Sequence, residues 1–310
     1  MKILITGGAG FIGSHLTDKL LTNNHEVIVL DNLFTGKPEN LAQHENNEKF
    51  TFVNADITNR KKVRESLKEA RGVIHEAAIT NVPLSIKKPE LTEKVNVKGT
   101  KTLLEESANA DVERFVYASS CAVYGEVKDL PISEDFELNP ISPYGESKLA
   151  AEELCQKFNK DQGLDTVCLR YFNVHGPRQT FGPYAGVILK FLKRAKKGKP
   201  PIIFGDGKQT RDFVYVQDIV RGTLLALRQK DVGGQIFNIG SGTAISINKL
   251  CETILNVTNS TELEPIYKEA KPGDIRHSHA DLSKAKEILG FEPKVSLNEG
   301  LARLVKKFDL

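Results

Sequence analysis

Cysteine is scarce in this chain and badly spaced for metal. The 310 residues hold four, Cys121, Cys155, Cys168 and Cys251. No C-x-x-C pair occurs and no histidine stands at zinc-ligand spacing, so no metal is expected. Reduced, mostly buried thiols of a cytoplasmic protein are the default. Long hydrophobic runs are missing too: nothing approaches the ~20 apolar residues that span a bilayer. The chain enters a strand at residue 2, with no charged region, apolar run and cleavage site before it. Neither a membrane association nor a secretory leader is expected. A large charge of one sign is also absent. The net charge of +3 gives no argument for nucleic acid as a partner. The densest basic run, residues 193–199, reads as the solvated end of a helix. What remains, 40% hydrophobic and 27% charged residues, is ordinary for a globular chain long enough for two lobes.

The stretch that is most informative comes first. Residues 3–6 are apolar or β-branched and read as a short buried strand. Gly7, Gly10 and Gly13 follow at a spacing of three, and Gly8, Gly10 and Gly13 satisfy G-x-G-x-x-G. Residues 11–21 then carry a helical pattern. Strand, glycine turn and helix in this order form the context of a dinucleotide site. Glycine permits the tight turn and lets the backbone approach a pyrophosphate. The helix N-terminus offers it unpaired N–H groups. A second strand, residues 26–30, runs into Asp31. A carboxylate about 20 residues past the glycines is placed to accept hydrogen bonds from a ribose. It repels a 2′-phosphate, which favours NAD over NADP.

The rest of the first half alternates. Strands are expected at residues 50–53, 72–75, 114–118 and 166–171, and helices at 61–69, 91–108 and 143–161. Such alternation indicates βαβ units and a parallel sheet. Residues 173–183 read as a loop. Helices are expected at 187–196, 218–229, 247–257, 281–289 and 297–307, with a short strand at 201–204 and a turn at 205–207. The expected fold is therefore α/β, a Rossmann-like doubly wound parallel sheet with a smaller mixed α/β lobe. Residues 1–172 would form the nucleotide-binding domain and 173–310 the second lobe, with segments crossing between them. The cleft between lobes would take the substrate.

Tyr144 and Lys148 stand four apart on an expected helix, hence on one face. A nearby ammonium favours phenolate over phenol, so Lys148 is expected to lower the pKa of Tyr144 and make it a general base. Ser120 follows the fifth strand, at the end of the sheet that faces the ligand crevice. Its hydroxyl can exchange hydrogen bonds with a substrate hydroxyl passing to ketone.

The motifs T-G-G-A-G-F-I-G (6–13), D-N (31–32), D-I (56–57), H-E-A-A (75–78), N-V-K-G-T (96–100), S-S-C-A-V-Y-G (119–125), Y-G-E-S-K (144–148), R-Y-F-N-V-H-G-P-R (170–178), T-R-D-F-V (210–214) and P-G-D-I-R-H-S (272–278) span nearly the whole chain. In this order they resemble the extended short-chain dehydrogenases/reductases, and within them the UDP-sugar 4-epimerases. The resemblance implies tightly held NAD, cradled by Gly7, Gly10, Phe11, Ile12 and Gly13. Asp31 and Asn32 would hold the adenosine ribose, and Asp56 and Ile57 would border the adenine. Ala77, Ala78, Thr80 and Asn96 would line the cofactor channel. Lys148 would hold the nicotinamide ribose, with Tyr171 near the nicotinamide and Ser120 as partner of Tyr144. Asn173, Val187, Ile203, Phe204 and Arg211 match positions that grip UDP. Lys271 stands where the family has arginine for the diphosphate, and Arg276 could share that role.

The implied reaction is 4-epimerisation of UDP-glucose and UDP-galactose. Related dehydratases and decarboxylases carry Asp or Glu in the segment matching 120–122, where this chain has Ser120, Cys121 and Ala122. Cys121 reads as a buried small side chain. Ser278 is small where a bulky residue would exclude N-acetyl sugars, so UDP-GlcNAc and UDP-GalNAc are expected substrates as well. Two other functions compete: a dehydrogenase or reductase that releases NAD(P)H, and a non-catalytic NAD-binding sensor. The latter would not need Tyr144, Lys148 and Ser120 together. A homodimer through the helices at 91–108 and 143–161 is the expected assembly.

Overall fold

In the computed structural model, which describes residues 1–179, 186–270 and 275–307, the opening strand β1 (Lys2–Thr6) leads into α1 (Phe11–Thr22) and then β2 (Glu26–Asp31) and β3 (Phe50–Asn54). The chain continues through α2 (Arg60–Ser66), β4 (Gly72–His75), α3 (Val82–Lys87), α4 (Pro89–Glu93) and α5 (Thr100–Asn109) to β5 (Arg114–Ser120), α6 (Pro143–Gln162) and β6 (Thr166–Tyr171). One later strand completes the main sheet. Counting β7 (Asn173–His175), α7 (Val187–Ala195), β8 (Ile202–Phe204), β9 (Thr210–Tyr215) and α8 (Val216–Arg228), that strand is β10 (Ile236–Ile239). The order is β10-β6-β5-β4-β1-β2-β3, and every pairing is parallel.

Such a sheet needs both faces covered, so its strands are apolar on both sides. Successive residues of β1 divide accordingly. Ile3 and Ile5 enter a core with Leu16 and Leu20 of α1, Ile219 and Leu224 of α8, and Phe237. Leu4 enters the opposite core with Val63 of α2, Leu103 and Leu104 of α5, and Ala151 and Cys155 of α6. The strand order reverses between β1 and β4, and a crevice opens there at the strand C-termini.

The remaining elements are β11 (Ala244–Ser246), α9 (Ile247–Val257), β12 (Ile266–Lys268), α10 (Ser283–Leu289) and α11 (Leu297–Lys307). A small sheet β11-β9-β7 and a parallel pair β12-β8 carry them. Ile188, Leu192, Phe213, Ile254, Leu301 and Leu304 form their core.

Two expectations are corrected. Residues 173–175 are a strand rather than loop, because β7 pairs in parallel with β9, Asn173 opposite Phe213. The partner lies some forty residues on, so local composition could not reveal the pairing. The helix expected at 91–108 begins earlier and is not uniform. Between α4 and α5 the backbone takes a π-helical path over Lys94–Gly99. Gly99 sits against Ile57 there: a Cβ on it would lie 2.6 Å from the Ile57 side chain.

Candidate active site

Two glycines at the β1–α1 turn are required by contact. Gly7 has φ +71°, and a Cβ on it would stand 2.7 Å from the Ala77 nitrogen. A Cβ on Gly13 would stand 2.3 Å from the Gly7 carbonyl oxygen. The turn thus packs directly on the backbone just past β4, at the switch point. Gly10 caps α1 without a side-chain hydrogen bond, and no acidic residue occupies the first turn. Its leading N–H groups are therefore presented to an anion. At the end of β2, Asp31 accepts from the Ala9 nitrogen at 3.0 Å and the Leu33 nitrogen at 2.8 Å. Each carboxylate oxygen keeps acceptor capacity for a ribose hydroxyl. Burial raises the Asp31 pKa against those two bonds. Asn32 donates to Asp56 Oδ2 at 2.8 Å, and Thr58 donates to Oδ1 through its nitrogen and hydroxyl. Ile57 is buried beside them. A phosphate cradle followed by ribose acceptors fits NAD.

Past β4, Ala77 and Ala78 are half-buried and Thr80 is exposed. Asn96, on the π-helical stretch, is fully engaged. Its Oδ1 accepts from the Ile79 nitrogen at 2.7 Å, and its Nδ2 donates to Ile79 O at 3.0 Å and Ser147 Oγ at 2.9 Å. Ser147 in turn donates to the Tyr144 carbonyl at 2.7 Å. Asn96 therefore ties the segment after β4 to the first turn of α6.

The sheet brings Ser120, Tyr144 and Lys148 together. Ser120 ends β5, and its Oγ accepts from the Ala122 nitrogen at 3.2 Å and lies close enough to the Tyr144 phenol to lower its pKa. Ser142 caps α6 by accepting from the Gly145 nitrogen. Gly145 permits the close approach of this turn: a Cβ there would meet Ala122 O at 2.7 Å. Lys148 donates to Ala118 O at 2.7 Å, with Nζ 6.0 Å from the Tyr144 ring centroid.

The expected pKa effect is reversed in the protein alone. Burial pushes Tyr144 up to about 12, with the Ser120 hydrogen bond pulling the other way. Burial also pulls Lys148 down to about 8, which Glu76 and Glu152 only partly offset. The ammonium is directed at the Ala118 carbonyl rather than at the phenol, and desolvation of the phenolate dominates. Cys121 is half-buried, and burial pushes its thiol up to about 12, as suits an unreactive side chain.

In the second lobe, Asn173 and Val187 line one cavity of about 180 Å³ with Val174, Gln179, Ile188 and Phe213. Ile203 is buried in the lobe core and Phe204 follows it on β8. Arg211 on β9 donates to Thr210 O at 2.7 Å. Ser278 is buried, its nitrogen bonded to Thr210 O at 3.2 Å, so it lies beside the same strand. Arg276 forms a two-pronged pair with Asp206, 2.8 Å at each prong, so that fork is already taken. Lys271 lies outside the described residues.

Sequence reasoning missed the buried polar groups beneath the site. Arg170 on β6 and Glu152 on α6 form a buried pair, extended by Ser119 to one side and Tyr124 and Asn238 to the other. Asp212, wholly buried next to Arg211, accepts from the nitrogens of Ser241, Gly242 and Ala280. His75 links Thr6 to Thr100. Thr100 donates to Asn96 O at 2.6 Å, so His75 Nε2 carries the proton and Nδ1 accepts from Thr6. The available signal was charge inside otherwise apolar strands, as at Arg170.

A doubly wound sheet with its nucleotide cradle at the switch point, and a tyrosine–lysine helix packed over the next strands, is the architecture of the extended short-chain dehydrogenases/reductases. The model of the NAD dependent epimerase/dehydratase family matches residues 3–240, and the chain belongs to that family. It is 44% identical over 306 residues to a putative UDP-glucose 4-epimerase of Methanocaldococcus jannaschii, covering 98% of this chain and 97% of that one. Among solved structures, the Thermotoga maritima UDP-glucose 4-epimerase with UDP-glucose superposes with a TM-score of 0.94 at 42% identity, covering 100% and 99% of the two chains. The UDP-N-acetylglucosamine 4-epimerase of Methanobrevibacter ruminantium, in complex with UDP-N-acetylmuramic acid, gives 0.94 at 37%, covering 99% and 98%. The protein is an NAD-using isomerase of this family.

Proposed function

We propose that the protein interconverts the C4 epimers of UDP-hexoses, UDP-glucose with UDP-galactose and also UDP-GlcNAc with UDP-GalNAc. The observation that carries this reading is the meeting of Ser120, Tyr144 and Lys148 at the end of β5. Tyr144 Oη takes the proton of the sugar 4-hydroxyl, with Ser120 holding both oxygens, and returns it to that oxygen once the 4-keto sugar has turned its other face to the cofactor. NAD, when bound, supplies a positively charged ring that accepts the hydride from C4 and gives it back. Lys148 holds the nicotinamide ribose, and the cation beside it offsets the burial that keeps Tyr144 protonated in the protein alone.

Asn173, Val187 and Phe204 take the uridine end, and Arg211 the diphosphate. Arg276 shares that task only if its pair with Asp206 opens. The buried, small Ser278 supports acceptance of N-acetyl sugars, and one relative acting on such a sugar supports it further. Residues 1–172 bind the cofactor and 173–310 the UDP-sugar, with β10 and α8 crossing back onto the main sheet. A cytoplasmic homodimer through α5 and α6 completes the reading. Leu103 and Leu104 serve the core, while Leu154 and Phe158 stay half-buried on α6. No helix among the described residues is long and apolar enough to cross a membrane.

A coupled assay with the four UDP-sugars tests the proposal. Interconversion of both pairs without net NADH is the expected result. Sustained, stoichiometric NADH formation from UDP-galactose would establish the dehydrogenase instead. No turnover of any of the four would favour the binding-only alternative.

A further inference from the structure

One ionisable group at the switch point has no part in the mechanism above. His75 ends β4, Glu76 follows it directly, and their side chains reach opposite faces of the sheet. His75 reaches Thr6 and Thr100. Glu76 reaches across to Tyr171 on β6, whose hydroxyl lies 3.0 Å from Oε1 and 2.7 Å from Thr223 Oγ1 on α8. The backbone of Glu76 packs on the glycine turn: its carbonyl carbon is 2.9 Å from where a Cβ on Gly7 would be. A carboxyl is thus held at the crevice, half-buried, between the phosphate cradle and the Tyr144–Lys148 helix.

We propose that Glu76 is an electrostatic positioning residue for the cofactor, its Tyr171-bound carboxylate favouring the oxidised, cationic nicotinamide over the neutral reduced one. This rests on the reading above that the nicotinamide end lies between Lys148 and Tyr171.

The surroundings allow both protonation states. Tyr171 has one proton to donate and two partners. With Glu76 ionised, Tyr171 donates to the carboxylate, and Thr223 accepts no proton from it and must turn its own from Ile219 O, 2.8 Å away, to pair with Tyr171; with Glu76 neutral, the carboxyl donates to Tyr171, Tyr171 donates to Thr223, and Thr223 keeps its bond to Ile219 O. Burial raises Glu76 to about 7, against the pull of Tyr171 and Lys148. The charged or titratable groups acting on it are Tyr171 from β6, and Lys148 and Tyr144 from α6. A cation arriving beside it favours the carboxylate, and by linkage the carboxylate favours the cation to the same degree. Across several ångströms of partly buried protein such an attraction amounts to about a tenfold preference.

The experiment is a reductive titration of the purified holoenzyme against a redox dye, reading reduced nicotinamide by its near-ultraviolet absorbance. In Glu76→Gln the reduced-to-oxidised ratio should rise about tenfold at fixed dye poise, a potential about 30 mV higher for a two-electron couple. Glu76→Asp, which keeps the charge, should stay within about threefold of wild type. A melting curve checks the fold, and Glu76→Leu is read in the same way should the glutamine variant not fold. A folded, NAD-loaded variant without the charge whose ratio stays within twofold of wild type overturns this inference and leaves the epimerase reading intact. Wild-type protein that releases no NAD on denaturation overturns both.

Discussion

Replacing Glu152 with alanine tests whether the site stands on its buried ion pair. Glu152 and Arg170 are each 1% exposed. Arg170 Nε donates to both Glu152 oxygens, at 3.0 and 3.3 Å, and one terminal nitrogen donates to Oε2 at 2.8 Å. The other terminal nitrogen donates to the Tyr124 hydroxyl at 2.9 Å and Glu134 O at 3.1 Å. Those two acceptors remain after the substitution, but the countercharge is gone. A guanidinium cannot shed its proton. An unpaired buried charge of this kind costs about 3–5 kcal/mol. For a chain of this length, at roughly 2 °C per kcal/mol, the melting temperature should fall by about 6–10 °C. The Ser119 hydroxyl, which donates to Glu152, loses its partner next to Ser120, so turnover should fall as well. Calorimetry and the epimerase assay on one preparation read both effects. The control is the double change Glu152→Met with Arg170→Met. Replacing both charges by apolar side chains of similar volume is often neutral or better, so the double variant should melt above the single one. A fall under about 2 °C for Glu152→Ala, or a double variant no better than the single, would refute the reasoning.

Four further outcomes follow from the geometry. Gly13→Ala puts a Cβ 2.3 Å from the Gly7 carbonyl, so the cradle must open; NAD retained through gel filtration should drop at least about tenfold while the circular dichroism stays native. Tyr144→Phe removes the proton acceptor and should lower kcat by about 10²–10⁴ with little change in KM, as measured in the coupled assay. Ser278→Tyr fills a buried position and should abolish turnover of the N-acetyl sugars while sparing UDP-glucose; equal activity on both classes would sink that assignment. Lys148→Met should raise the melting temperature at pH 7 while ending turnover. Burial lowers Lys148 from 10.5 to about 8. Between those values the unfolded chain binds more protons, so stability rises with pH, and the full penalty is present below about 8. The gain from methionine, trimmed by the lost bond to Ala118 O, should therefore vanish near pH 10.5. An equal gain at both pH values would count against it.

The parallel half of the fold was legible because its signals are local. A strand such as Gly72–His75 is apolar on both faces, and the glycine turn announces itself by spacing. Later strands were harder. Asn173–His175 and Ala244–Ser246 hold three residues each and exist through pairing with Thr210–Tyr215, which no window of neighbouring residues reports. That Ser120, Tyr144 and Lys148 would lie together past the end of β5 was legible from motif and strand order. The titration of Tyr144 was not. Residue types pointed to a lowered phenol pKa, but burial, a property of packing, raises it. The pair of Arg276 with Asp206 escaped for the same reason, since 70 residues separate the partners.

Asn96 makes clear why so much of the site lies in residues that touch no ligand. Its amide reaches Ile79 beyond β4 and Ser147 on α6, while its carbonyl receives Thr100, which receives His75, which receives Thr6 of β1. These contacts are made from a π-helical stretch, where one additional residue per turn alters the direction in which the side chain leaves the helix. Because each of these groups is buried, each must be satisfied. The groups that satisfy them sit on β1, β4, α5 and α6, the elements that present the glycine turn and Tyr144. Loosening the catalytic geometry therefore exposes unpaired polar atoms in the core, so the interactions that position the site are also interactions that stabilise the fold.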